Sequence, residues 1–439
     1  MLVLIIIAVG VLIWYWDSDP PTVRIESADY VNKDGEIRFI AEDVGKGLIS
    51  IAAVVRQGEN ESSIFKTTYE FAFLPWQQVA QVKEVVVSVE QLGVSEGTFE
   101  VEFEARDQSN LWLFRRSEIT KREITLDTKR PILSVLSRQH YITQGGSEAV
   151  LYKVQEEGSD SGVLVGDRVF RGFPLSGRGE GEHLAIFSIG YDQPVDVPLS
   201  LWAQDRAGNR SQASFWHKVF PGKFRNRNIT ISDSFIASVA PEILEHSPKV
   251  SEQSTPLETF LEINRTLRTL NNQRIAELTK QSEPRLLWTE PFAQLSNSQV
   301  ESIFADRRTY LYEGKECDQQ THLGFDLASL ALSPVEASNS GKVVFADFLG
   351  IYGNTVIVDH GLGLFSLYGH LSSLGVEVGQ SVSLRQELGQ TGQTGLAGGD
   401  HLHFSMLLQG HQVNPIEWWD EDWVRKHVLV KIEGGEPVE

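Results

Sequence analysis

The sequence predicts a mainly β protein: an N-terminal membrane anchor, two immunoglobulin-like β-sandwich modules, a short helical spacer, and a C-terminal domain of antiparallel β. Three observations carry this. An uncharged run opens the chain, Leu2 to Trp16. Short alternating runs punctuated by Gly, Asn, Asp and Ser fill residues 22–220. Apolar residues then switch to helical spacing before a Gly-rich strand composition returns. The boundaries drawn this way are 1–18, 19–128, 129–224, 225–285 and 286–439.

The opening run spans ~22 Å as a helix, short of the ~30 Å hydrocarbon core. Trp14, Tyr15 and Trp16 close it, where amphipathic rings favour the membrane–water interface. No basic residue precedes it and no small-x-small cleavage site follows. The expectation is a short signal anchor through residues 2–16, with the rest of the chain exported; a buried element of the first module is the other reading.

Residues 22–127 carry TVRIES, EIRFIAED, LISIAAVV, VKEVVVSVE and GTFEVEFEAR, and residues 131–220 carry ILSVLS, AVLYKV, HLAIFSIG, VPLSLWAQD and ASFWHKVF. Both blocks open on a Pro-led strand and end a late strand in Ala-x-Asp followed by Asn, at Asp107 and Asp205. Tandem modules follow from that repetition. The two aspartates are expected to cap turns rather than bind calcium. Thr255-Pro256-Leu257-Glu258 then reads as a helix start, with a Thr cap, Pro in the first position and Glu in the third. Leu257, Phe260, Leu261, Leu267, Leu270 and Leu278 continue it, and Ser232 to Leu244 suggests a shorter helix before it.

Charge and cysteine content narrow the chemistry. The 439 residues hold 39 Lys+Arg against 59 Asp+Glu, a formal charge of −20. Such a chain is a poor partner for phosphate backbones, so no nucleic-acid role is expected. Residues 286–439 alone hold 8 Lys+Arg and 20 Asp+Glu, a net −12, which favours partners bearing free amines. One cysteine, Cys317, excludes an internal disulfide framework and a Cys-rich zinc finger.

Five of the eleven histidines fall between His322 and His403. His322-Leu323-Gly324-Phe325-Asp326 gives His-x-Gly-x-Asp, and His401-Leu402-His403 gives His-x-His. On a strand, residues two apart share a face, so His401 and His403 can address one site. Imidazoles with a carboxylate form a catalytic zinc environment, three protein ligands leaving a fourth position for water. His360, before a Gly turn, reads as structural; His411 and His427 read as surface or packing residues. Trp418, Trp419 and Trp423 read as core rather than a sugar platform, and Cys317 as a packed thiol rather than a ligand.

With Tyr368-Gly369-His370-Leu371 between the two motifs, residues 286–430 closely resemble the lysostaphin-type (LytM-like) peptidoglycan endopeptidases, a zinc metallopeptidase family. The resemblance continues through Val358-Asp359-His360-Gly361, Gly389-Gln390-Thr391-Gly392 and Val413-Asn414-Pro415. It implies His322, Asp326 and His403 as Zn2+ ligands, His401 as general base on the metal-bound water, and His370 as the second active-site histidine. Tyr310 and Tyr312 are the candidates for a tyrosine the family often uses. The implied activity is hydrolysis of peptidoglycan cross-links or stem peptides by an enzyme held at the cell inner membrane, its bulk periplasmic. Cell-wall or division proteins are possible partners. The alternative within the resemblance is a non-catalytic activator or scaffold of cell-wall amidases.

Overall fold

The computed structural model describes residues 20–43, 47–70, 81–108 and 116–433; the expected anchor through residues 2–16 lies outside them. Among the described residues no helix is long and apolar enough to cross a membrane. Two compact units separate: residues up to Pro131 with Gln204–Ser211, and Ile132–Ala203 with the chain from Gln212 on.

In the first unit a three-stranded sheet (Thr22–Glu26, Glu36–Glu42, Val82–Ser88) faces a five-stranded one. The longer sheet runs Tyr30–Val31, Ser117–Leu126, Gly97–Asp107, Leu48–Gln57, Asn60–Thr68. Strict alternation decides the packing: Ile37, Phe39 and Ala41 point inward from one sheet, Val101, Phe103 and Ala105 from the other. Asp107 accepts the Arg116 amide at 2.8 Å, and Asp205 accepts both the amide and the side-chain amide of Asn209 at 2.8 Å. Both are turn caps.

The second unit begins as another two-layer β arrangement. One sheet is ordered Phe173–Pro174, Glu182–Ser188, Ser147–Val154, Leu133–Val135; the other includes Arg168–Arg171, Asp160–Val165 and Leu199–Gln204. Its core is continuous with that of the C-terminal region, where Trp418 is fully buried against Trp288 and Phe292. Trp419 and Trp423 are half-buried against the same core.

Residues 225–285 hold more than helices. Asn226–Ile231 is a strand, paired in parallel with Asp306–Tyr312, which forms a hairpin with Lys315–His322. Its polar alternate residues gave no apolar signature. A helix Asp233–Glu245 follows, capped by Ser232, and a longer helical run from Pro256 to Leu278 is capped by Thr255, whose Oγ1 accepts the Glu258 amide at 3.2 Å. Residues 262–267 of that run form a wider π turn.

The C-terminal region is built on an antiparallel sheet ordered Gln299–Ser302, Phe325–Ala328, Leu402–Leu408, Leu364–Leu371, Asn354–Gly361, Gly341–Phe348, Ser381–Val382. Its two faces are both apolar and both covered. Val356, Val358, Leu364 and Phe404 join the core shared with the β layers, whereas Ile357, Phe365, Leu367 and Leu407 lie under Ile236, Phe260, Ile263 and Leu267 of the helices. The helices are a second wall of the sheet, and the site opens on their side.

Candidate metal and catalytic centre

The strand Leu402–Leu408 sets the site by its period of two. Leu402, Phe404, Met406 and Leu408 enter one core, leaving His403, Ser405 and Leu407 for the other face. Asp326 stands directly opposite His403 in the ladder. His322 ends the adjoining hairpin strand. Gly324 lets these elements close up, because a Cβ there would lie 2.7 Å from Cε1 and Nε2 of His403.

Three ligand atoms converge. His322 Nε2 lies 2.9 Å from Asp326 Oδ1 and 3.0 Å from His403 Nδ1, and His403 Nδ1 lies 3.0 Å from Asp326 Oδ1. His401 Nε2 lies 3.6 Å from the same oxygen. His370 does not follow from alternation: in its strand, residues two apart from Tyr368 face the opposite core. A left-handed φ of +62° turns it, bringing its ring centroid within 4.8 Å of His401 and 5.8 Å of His403. All five residues that the sequence singled out therefore share one site.

Outer contacts fix which nitrogen faces inward. Nδ1 of His322 donates to the Ile303 carbonyl (3.1 Å), that of His370 to Thr394 O (2.8 Å), and that of His401 to Gly399 O (2.8 Å). The Ser405 hydroxyl spends its one proton on Leu323 O (2.7 Å) or Gln412 Oε1 (3.0 Å), so it accepts from His403 Nε2 at 3.0 Å. Each imidazole thus turns a lone pair toward the centre. Arg308 Nη2 holds the outer oxygen of Asp326 at 2.7 Å, leaving Oδ1 as the inward one.

The donor set fits zinc. Bonds of about 2.0–2.1 Å in a tetrahedron separate ligand atoms by roughly 3.3 Å, close to the spacings here. Lone pairs so near one another call for a shared cation. Among the described residues of this unit, His322, Asp326 and His403 are the group whose ligand atoms converge in this way.

Burial dominates the electrostatics. It pushes His403 down to about 4 and His370 well below the usual imidazole range, with neighbouring imidazoles adding to the effect. Burial would raise Asp326, but the surrounding histidines, His322 foremost, hold it well below the carboxylate range. Burial would lower His401 too, yet the Asp326 carboxylate raises it.

Other expectations fall into place around this centre. His360 is fully buried, hydrogen-bonded to Ser340 O (2.8 Å) and Ser366 Oγ (2.7 Å), a structural histidine. The Cys317 thiol donates to Tyr310 O at 3.4 Å and takes no part in the ligand cluster. Tyr310 lines the cavity against Phe260, whereas the Tyr312 hydroxyl caps away onto Asp233 at 2.6 Å. His411 packs on Phe170, and His427 donates to the buried Glu148 at 2.8 Å. Ser405, Arg308 and Tyr352 were missed. Ser405 was findable, two residues beyond His403 on the same face. Arg308 and Tyr352, whose ring lies 5.3 Å from His403, had no local signal.

Comparison with known proteins agrees with this geometry. The profile of Peptidase family M23 matches residues 320–415, and the chain carries an M23 (LytM-type) domain there. The DD-carboxypeptidase/endopeptidase Mpg of Neisseria meningitidis serogroup B is 38% identical over 95 residues, 22% of this chain and 22% of that protein. The peptidoglycan DD-endopeptidase ShyA of Vibrio cholerae serotype O1 is 38% identical over 96 residues, 22% of each. The murein hydrolase activator EnvC of Escherichia coli K12 is 42% identical over 84 residues, 19% of this chain and 20% of that protein. The chain thus spans about a fifth of the length of the curated relatives it matches. The catalytic domain of lysostaphin from Staphylococcus simulans aligns at 26% identity and a TM-score of 0.25, covering 28% of this chain and 94% of that one.

Proposed function

We propose that the protein is a zinc-dependent peptidoglycan endopeptidase, hydrolysing peptide bonds of cell-wall cross-links or stem peptides. One observation carries it: three atoms of the kind that bind zinc converge at about 3 Å, and two further imidazoles, His401 and His370, stand against the same cluster. All five residues that hydrolysis would use are present.

His322, Asp326 and His403 would hold the zinc. Bound there, the metal supplies a Lewis acid and water acidified to near neutrality. His401 takes the water's proton at Nε2, and the Asp326 carboxylate 3.6 Å away stabilises the imidazolium so formed. That proton then passes to the leaving amine. His370 is the second histidine, assisting the transfer or, once protonated, donating to the tetrahedral oxyanion.

The reading extends to residues 2–16 as an inner-membrane anchor with the bulk of the chain periplasmic. Residues 19–128 and 129–224 are then two immunoglobulin-like modules on the exported side. The likeness to EnvC favours a second reading, a non-catalytic activator or scaffold partnering cell-wall or division proteins. Purified wall incubated with the full chain and zinc separates them. Soluble muropeptides with newly cut peptides, identified by mass spectrometry, are expected; their absence from a zinc-loaded sample would sink the enzyme reading.

A further inference from the structure

The cavity beside the triad encloses about 540 Å³. Much of its lining comes from outside residues 320–415: Arg227 from the parallel strand, Phe235, Phe260 and Arg268 from the helices, and Arg308 from the hairpin. Three guanidiniums therefore line it, against the carboxylates of Glu301 and Asp326. The acid excess of the domain is not carried into its cleft, and the sequence-based expectation of an amine-bearing partner is reversed there.

Two of these guanidiniums, Arg227 and Arg268, are held by neutral groups rather than by a carboxylate. Arg227 Nη1 donates to Glu301 O at 2.8 Å and Ser302 Oγ at 3.0 Å. Arg268 donates to the Asn264 carbonyl at 3.1 Å and to its side-chain oxygen at 2.6 Å. Among the described residues no carboxylate pairs with either. Arg308 differs: its Nη2 pairs with Asp326 at 2.7 Å, and its Nε is buried away from the cavity surface. Five donors in a planar fork suit carboxylates above other anions of a peptide.

We propose that Arg268 and Arg227, beside the Asp326-paired Arg308, form a subsite for a free carboxylate of the substrate, so that the peptide cut is one carrying an unamidated carboxyl group near the scissile bond. This rests on the endopeptidase reading and narrows it to an anionic substrate class. The arginines are specificity-determining residues, since they recognise a group that does not react.

The test uses the zinc-loaded full chain and two cross-linked muropeptide preparations, one with free carboxylates and one with them converted to amides. Amidation is expected to lower kcat/KM about ten- to hundred-fold, the worth of hydrogen bonds to a charged group. Arg268→Gln should remove most of that preference, chiefly through KM, with bound zinc unchanged. Arg227→Gln serves as the second variant should Arg268→Gln melt early. Equal rates on both substrates in the wild type, or an undiminished preference in both variants, would overturn the proposal. If the wild type cuts neither, the endopeptidase reading fails instead. The subsite then stands or falls on binding of the same pair in a fluorescence titration, where equal affinity overturns it.

Discussion

His403, a proposed zinc ligand, is held in place by its neighbours. Ser405 receives its Nε2–H, and Gly324 leaves room for the ring. Ser405→Ala should lower zinc affinity about 10–100-fold, the usual effect of removing an outer partner of a metal ligand, measured by competition with a chelating dye. Gly324→Ala should cost more, because its methyl carbon would sit 2.7 Å from the ring; an unaltered affinity would contradict the close approach. His401 is a different case. As a proton acceptor rather than a ligand, His401→Ala should keep its zinc and lose about 10²–10⁴ in the rate of muropeptide release. Loss of metal in that variant would place His401 among the ligands instead.

Among the elements, the helical run from Pro256 to Leu278 does two things. It buries Phe260, Ile263 and Leu267 over the sheet face holding Phe365 and Leu407, and it presents Arg268 to the cleft. Thr255→Ala removes its cap and should cost about 1 kcal/mol, read as a lower melting temperature at unchanged zinc content. A chain beginning at residue 286 would uncover that whole apolar face and lose the strand Asn226–Ile231 from its parallel pairing. It should be insoluble or bind a hydrophobic dye; a soluble, cooperatively melting product would show the helices to be dispensable.

Across the second unit, the C-terminal helices are pinned to the strand Ser147–Val154 by buried charge. Lys431 Nζ donates to Glu148 Oε1 at 2.7 Å, His427 to Oε2 at 2.8 Å, and Glu417 accepts the Ser147 amide at 2.7 Å. Burial, aided by the Glu148 charge, pushes the Glu417 carboxyl up to about 8. Above its unfolded value of 4.5 the folded chain keeps a proton the unfolded chain has released. The stabilisation is therefore complete below pH 4.5 and is lost as pH rises through 8. Glu417→Gln cannot ionise, so its melting temperature should fall less than that of the wild type between pH 5 and 8. Parallel declines in the two proteins would refute this.

Local sequence determined a good deal. Period-two alternation placed His403 and His401 toward one site, Thr255 announced its helix, and His-x-Gly-x-Asp marked two members of the converging cluster, because each of these is a relation between residues a few positions apart. Longer relations were decided by the tertiary structure. His370 reaches the site only because its backbone takes a left-handed φ. Arg308 meets Asp326 across a hairpin, and Asn226–Ile231 joins a sheet about eighty residues downstream. The charge of the cleft belongs here as well. A net −12 describes a stretch of chain, whereas a substrate meets the side chains that folding gathers, and those are arginines from three separate segments. The chemistry was written in the motifs; its surroundings were written in contacts between segments that no local pattern encodes.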